Sequence, residues 1–277
     1  MAKMTLLTIG ADEAVARGPQ ARLLTQELEG SGLTVRFEYL PAGKLSDALL
    51  DGVIDLAFHP LWQLPANPVD AISIAALTTR EDPAYALLIQ PAAVAGKPLR
   101  LREGASVSVS FPFAGAQLQY FRPDLQIVHN SFLPDPTTLL QQKAVDAVLW
   151  PVSNLPSEQG DWEFVRLHPR EFVPPPGQGA YALLVRTGDR TLRQRLRDFH
   201  HPEVSAVTNV ERKVLRLLGG DPKLPLGVFC SRDEAENFHV WAVMGATERK
   251  PLRRVQLSSN TSHLLAERVV EELEREG

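Results

Sequence analysis

Two stretches of the chain read as copies of one pattern. In "LLDGVIDLAFHPL" (Leu49 to Leu61) and "LLQQKAVDAVLWPV" (Leu139 to Val152), a helix end leads into an acidic residue, an apolar run and a closing proline. The segments around them repeat as well. "MTLLTI", "LTVRFEYL" and "IDLAFHP" have the length and composition of strands and alternate with helical periodicity in "AVARGPQARLLTQELEG" and "LSDALLDG"; "ISIAALTT" and "YALLIQP" follow. A second set, "ASVSVSF", "LQIVHNS" and "VDAVLWPV", alternates with "AGAQLQYF" and "PTTLLQQKA". This is the order of an α/β protein with two similar lobes. Crossing segments expected around Leu88 to Lys97 and Phe172 to Gly179 would leave a cleft at the carboxyl ends of the strands, where α/β sheets bind ligands.

The last third is different. From Thr191 to Leu218 apolar residues fall at helical spacing, interrupted at "HHPEVS", where Pro202 is placed to start a new helix. Gly219 and Gly220 stop that helix, because glycine takes the left-handed backbone a helix end needs, and Pro222 cannot continue the ladder. "LGVFCSR", "FHVWAVMGA" and "PLRRVQLSS" read as antiparallel strands, with "DEAEN" as a polar hairpin turn and "SHLLAERVVEELERE" as an amphipathic helix. The expected division is lobe 1 at 1–90 with 175–200, lobe 2 at 91–174, and a small C-terminal α/β domain at 201–277.

Composition narrows the partners. A net charge of −4 with no cluster of Lys and Arg argues against nucleic acid, whose phosphates demand such a cluster. "MAKMTLLTIGADEA" is too short in apolar residues, and too soon acidic, for a secretory signal or a membrane span, so a cytoplasmic protein with no membrane partner is expected. A single cysteine, Cys230, excludes an intrachain disulfide and a cysteine-rich zinc site.

Several motifs in order, "IDLAFHPLWQLP", "REDPAYALL", "FRPDLQIV", "VDAVL", "PPGQGAYALLV" and above all "HHPEVSAVTNVERKVLRLLGG", resemble the porphobilinogen deaminase (hydroxymethylbilane synthase) family of haem biosynthesis. These enzymes join four porphobilinogen molecules into a linear tetrapyrrole. The resemblance implies two periplasmic-binding-protein-like lobes plus a C-terminal α/β domain, which agrees with the pattern read above. It also implies a cysteine straight after the two glycines, carrying a thioether-linked dipyrromethane. Asp221 stands there, and a carboxylate forms no thioether; Cys230 falls on the next strand, where a free cysteine packs as a small apolar group.

The other positions implied by the resemblance have changed too. At the proton-handling aspartate stands Gln63, which takes up no proton, preceded by Trp62 where a lysine is usual. Asp12, Phe113 and Ala114, and more loosely His129 and Thr138, replace arginines that would grip acetate and propionate groups. Of a Gly- and Lys-rich lid only "AGK" remains. No dipyrromethane and no metal are expected.

What survives has two readings at each position. His59 ends a buried strand, either hydrogen-bonded within its lobe or touching a ligand. Gln178, between two glycines, either offers its amide to a ligand or rides on a backbone that the glycines shape. Ser110, Phe111 and Phe113 follow a strand and either open into the cleft or cap and pack. Glu81 and Asp82 are adjacent on an extended segment and point apart, which fits a salt bridge or turn better than paired catalysis. His200 and His201 mark a helix junction rather than a metal pair, and "RTLRQRLRD" is a solvated helix face. The expectation is a non-catalytic family member that holds a small, less anionic ligand at His59, Trp62, Gln63, Ser110, Phe111, Phe113 and Gln178. An unorthodox synthase or other transferase, and a scaffold for a protein partner, are the alternatives.

Overall fold

The structure, a computed structural model, describes residues 5–67, 69–130, 136–155, 160–245 and 252–275. The chain forms two compact units, Met1–Glu81 with Gly177–Pro222 and Asp82–Pro176 with Lys223–Gly277.

In the first unit, β1 (Thr5–Ala11), β2 (Leu33–Tyr39), β3 (Leu56–Pro60), β4 (Ile72–Leu77) and β10 (Tyr181–Arg186) form one sheet in the order β2-β1-β3-β10-β4. β1 runs parallel to β2 and β3, while β10 is antiparallel to β3 and β4. In the second unit, β5 (Tyr85–Ile89), β6 (Ser106–Val109), β7 (Gln126–His129), β8 (Ala147–Pro151) and β9 (Glu163–Leu167) form a sheet in the order β7-β6-β8-β5-β9. β6 is parallel to β7 and β8, and β5 antiparallel to β8 and β9. The two sheets are wired alike, as the repeated pattern implied. β9 and β10 are the strands of these sheets that the sequence reading did not name.

The helices follow their punctuation. Gly18 and Pro19 split the single helix expected near the N-terminus into α1 (Glu13–Ala16) and α2 (Pro19–Gly30), since proline has no N–H to continue the first. α2 buries Ala21, Leu24 and Leu28 on the sheet. α3 (Leu45–Leu50) adds Leu45 and Leu49 to a second apolar cluster with Ile54 and Leu61. α4 (Pro112–Phe121) and α5 (Pro136–Gln141) belong to the second unit. α6 (Arg190–Arg195) buries Leu192 and leaves its arginines Arg190, Arg193 and Arg195 exposed.

The boundaries differ from those expected at 90, 175 and 201. Leu88 lies inside β5, and the chain leaves the first unit after Glu81. α7 (Pro202–Leu217), expected to open the C-terminal domain, belongs to the first unit. Polar side chains hold it there: Glu211 pairs with Arg80, and Arg212 donates to the carbonyls of Leu61, Leu64 and Pro65. The helix then stops as expected. Gly219 and Gly220 have positive φ, with Gly220 N–H donating to Leu215 O (2.9 Å) and Gly219 N–H to Arg216 O (3.1 Å), a Schellman closure.

β11 (Leu226–Arg232), β12 (Phe238–Met244) and β13 (Arg253–Ser259) make the antiparallel sheet expected after it, with α8 (Leu265–Glu274) packed on β12 and β13. Asp233 Oδ1 accepts from Asn237 N–H at the hairpin. This sheet is part of the second unit, joined to it by Val173 packed with Trp241 and Val243 and by Val228 N–H donating to Pro174 O (2.9 Å).

Candidate functional site

The predicted residues of the first unit gather at the end of β3. Pro60 closes the strand, Leu61 N–H donates to Ala180 O (2.9 Å), and Leu61–Gln63 form a single 3-10 turn that lifts Trp62 and Gln63 off the sheet. Trp62 is half-buried and Gln63 exposed. His59 is buried, and its Nδ1 lies 2.9 Å from Pro60 O. A carbonyl only accepts, so Nδ1 carries the proton and Nε2 is the acceptor nitrogen. Burial holds the His59 pKa below the ordinary value, against the opposing pull of that hydrogen bond and of the Asp12 carboxylate. Asp12 itself caps α1 through Ala14 N–H (3.1 Å). Ala42–Lys44 form one 3-10 turn.

Gln178 is 2% exposed, in a segment fixed at every residue. Gly177 N–H donates to Glu211 Oε2 (2.7 Å), Arg80 Nε to Gln178 O (3.0 Å), and Glu81 N–H to Gly179 O (2.8 Å). Both glycines have φ near +84°, and a Cβ on Gly179 would lie 2.6 Å from Glu81 O. The backbone reading of this motif is therefore the one the geometry carries. Arg80 meets Glu211 through two nitrogens, at 2.8 and 3.2 Å, and Glu211 is fully buried. The sequence reading gave this pair no role; "RED" and "ER" were the signal, a cation and an acid in separate motifs.

Asp221 is exposed, just beyond the closed end of α7, where Gly220 O accepts from Ala66 N–H (2.9 Å) and Gly219 O from Asn67 Nδ2 (3.0 Å). Cys230 is 1% exposed, within β11 of the other unit. Neither residue fits a thioether-linked pyrrole: the carboxylate lacks the chemistry and the thiol lacks the access.

On the second unit, Ser110 and Phe111 are half-buried at the end of β6, with Phe111 packed against the core and at the N-cap of α4. Phe113 is 5% exposed, its Cβ facing Gly245, so it packs rather than opening outward. Ala114 is also buried, and His129 and Thr138 are exposed. Asp82 meets Arg166 at 2.6 and 2.8 Å, the salt bridge that its position favoured. Glu81 points elsewhere: burial raises its pKa, partly offset by Gln20. His200 Nδ1 accepts from Leu77 N–H (3.2 Å), a structural duty. Among the described residues no group of three His, Cys, Asp or Glu side chains is arranged to hold a metal ion. A cavity of about 560 Å³ lies in the first unit, beside β4 and α7, and none of the predicted binding residues lines it.

The two units share a strand motif that sequence reading passed over. "AYALL" occurs at 84–88 and again at 180–184. In each unit its first alanine accepts from the residue after the closing proline, Val152 N–H to Ala84 O and Leu61 N–H to Ala180 O, both 2.9 Å.

Comparison with known proteins agrees with the motifs. A sequence profile described as porphobilinogen deaminase, dipyromethane cofactor binding domain, matches residues 37–194. The porphobilinogen deaminase of Moorella thermoacetica is 28% identical over 263 residues, covering 92% of this chain and 77% of that one. That of Oceanobacillus iheyensis is 31% identical over 228 residues, covering 80% and 70%. Two other relatives are spanned over only 62% and 60% of their length. Among solved structures, a Salmonella typhimurium periplasmic binding protein of high arginine specificity aligns at 13% identity over 74% of this chain and 94% of that one, with a TM-score of 0.44. With a profile match across more than half its length, and with the two like-wired sheets that its motifs imply, the chain belongs to the porphobilinogen deaminase family.

Proposed function

We propose that this chain is a non-catalytic member of its family, working in the cytoplasm without a dipyrromethane, and that it holds a small, weakly anionic ligand at the end of β3. The observation that carries the proposal is the pairing of an exposed carboxylate, Asp221, at the attachment position with a single thiol, Cys230, sealed inside β11. Supporting it, Gln63 has no ionisable group with which to relay protons, and the residues at the arginine positions are a helix-capping acid, a buried phenylalanine and a buried alanine. Truncating one partner of a buried charge pair costs about 2–5 kcal/mol. Several such losses outweigh the roughly 1 kcal/mol that one aromatic contact returns. At β3 the indole of Trp62 offers a face, His59 Nε2 an acceptor, and Gln63 an amide with both donor and acceptor.

The test is direct. The purified full chain is expected to have the mass of its polypeptide, to give no pyrrole colour reaction, and to yield no uroporphyrin after incubation with porphobilinogen and oxidation. Turnover comparable to that of ordinary family members, or pyrrole mass on any residue, would overturn the proposal.

A further inference from the structure

Two arginines in this chain, Arg122 buried and Arg212 half-buried, are built alike, and among the described residues one of them pairs with no acid. In the second unit, Arg122 donates through Nη1 to Pro98 O (2.8 Å) and Leu101 O (3.0 Å) and through Nη2 to Arg102 O (3.2 Å). Its Nε and remaining Nη2 hydrogen meet the Asp124 carboxylate, at 2.7 and 2.6 Å. In the first unit, Arg212 repeats the carbonyl half of this arrangement: Nη1 donates to Leu61 O and Leu64 O, both 3.0 Å, and Nη2 to Pro65 O (2.8 Å). Among the described residues nothing accepts from its Nε, and it makes no ion pair. The consequence is visible in the two guanidiniums: Asp124 raises the pKa of Arg122, while burial alone lowers that of Arg212 to about 10.

Arg212 also lines the 560 Å³ cavity. Arg212 and Lys213 lie three and four residues beyond Asn209, and Arg216 lies four and three residues beyond them, so one face of α7 forms a wall of that cavity. Arg212 and Arg216, four apart, repel one another on the helix. Among the described residues no acidic side chain lines the cavity, although the chain as a whole is acidic. Apolar residues elsewhere in the lining are Leu64, Val69, Ile72, Ile74 and Leu184. Ser73, also in the lining, has a hydroxyl with no hydrogen-bond partner among the described residues. The volume suits a ligand of ordinary metabolite size.

We infer that this cavity is a second ligand site, which takes an amphipathic carboxylate: its carboxylate fills the place on Arg212 that Asp124 fills on Arg122, beside Arg216, and its aromatic or branched apolar body lies against Ile72, Ile74 and Leu184. The site is independent of the one proposed at β3, whose residues do not line it.

Calorimetric titration of the full chain with 2-naphthoate, its neutral analogue 2-naphthamide and inorganic phosphate tests it. One equivalent of 2-naphthoate is expected to bind, with the amide and phosphate each at least about tenfold weaker, because one lacks the charge and the other the apolar body. Arg212→Lys, which keeps a charge but loses the fork, and Arg216→Glu are each expected to weaken 2-naphthoate about tenfold and to leave the amide unchanged. Arg216 is exposed, so Arg216→Glu keeps the native melting curve and the test stands even if Arg212→Lys does not fold. Trp62→Ala is expected to leave this binding intact. Absence of binding, equal affinity for the amide or phosphate, indifference to Arg216→Glu, or loss on Trp62→Ala would each overturn the inference.

Discussion

The two halves of this protein solve one backbone problem in the same way and then part company at the same place. In the first unit Asp55 opens β3, its N–H donating to Thr8 O and its carboxylate accepting from Thr8 N–H, both at 2.9 Å. In the second, Asp146 opens β8, its N–H donating to Ser106 O (3.0 Å) and its carboxylate accepting from Ser106 N–H (2.8 Å). Each strand ends in proline, followed by a 3-10 turn whose first N–H returns to an "AYALL" strand. At equivalent points of the ladder, however, His59 opposes Ala182 in one unit and Trp150 opposes Ala86 in the other. The hydrogen-bonding frame is constrained because buried backbone groups must be paired. Side chains at the strand ends carry no such obligation and are where the units diverge.

The largest expected contrast concerns the ion pairs nearest the point where the chain passes from one unit to the other. Arg80–Glu211 is buried, and Glu211 also holds Gly177 N–H; Asp82–Arg166 is partly exposed. Glu211→Ala is expected to cost about 3–5 kcal/mol in chemical denaturation, because it strands a buried guanidinium. Arg166→Ala should cost about 0–1 kcal/mol, as for a solvated pair. Equal losses would break the comparison.

The paired aspartates sharpen it. Asp146 accepts from Arg102 and from the Ser106 hydroxyl in addition to the backbone, while Asp55 has Thr8 N–H. Burial works to raise the Asp146 pKa, and these donors more than offset it, so the net shift is downward. Asp146→Ala is expected to destabilise by about 2–3 kcal/mol and Asp55→Ala by about 1 kcal/mol, read from denaturant midpoints.

The tyrosines of the repeated motif differ in the opposite sense. Tyr85 is 2% exposed with a hydroxyl that finds no partner among the described residues, whereas Tyr181 is half-buried and stacked on Phe58 at 4.9 Å. Tyr85→Phe should be neutral or stabilising by about 1 kcal/mol, since it removes a buried orphan hydroxyl. A clear loss of melting temperature would show that the hydroxyl has an acceptor in solution.

The smallest effect is the pH response of the first unit. His59 and His200 both have pKa values lowered by burial, so the unfolded chain binds protons more readily than the folded one. Their contribution is complete above the unfolded value of about 6.5 and is lost as pH falls below it. The protection of backbone amides, taken relative to their intrinsic exchange rate at each pH, should therefore fall in the first unit between pH 7 and pH 5.5, and His59→Gln should flatten that response. Trp150, the counterpart of His59, gives the second unit no such term.

How much of this was legible depended on the range of the interaction. The acids at the strand mouths, the closing prolines, the glycine pair that ends α7 and the hairpin at Asp233 are local devices, set within a few residues by backbone geometry. α7 misled, because its amphipathic pattern reports that one face is covered but not by what. The covering came from Arg80 and from the carbonyls of Leu61, Leu64 and Pro65, all far away in the chain. Phe113 likewise read as a candidate for ligand contact until Gly245 was brought against it.

By itself, then, the sequence determined the repeated α/β order and the family. Tertiary structure alone decided that Cys230 is sealed, that Glu211 is paired, and that Arg212 lines a cavity to which, among the described residues, no acid contributes. Identity is written at each position, but burial and partnership are properties of residues brought together from distant parts of the chain, and only the fold supplies them.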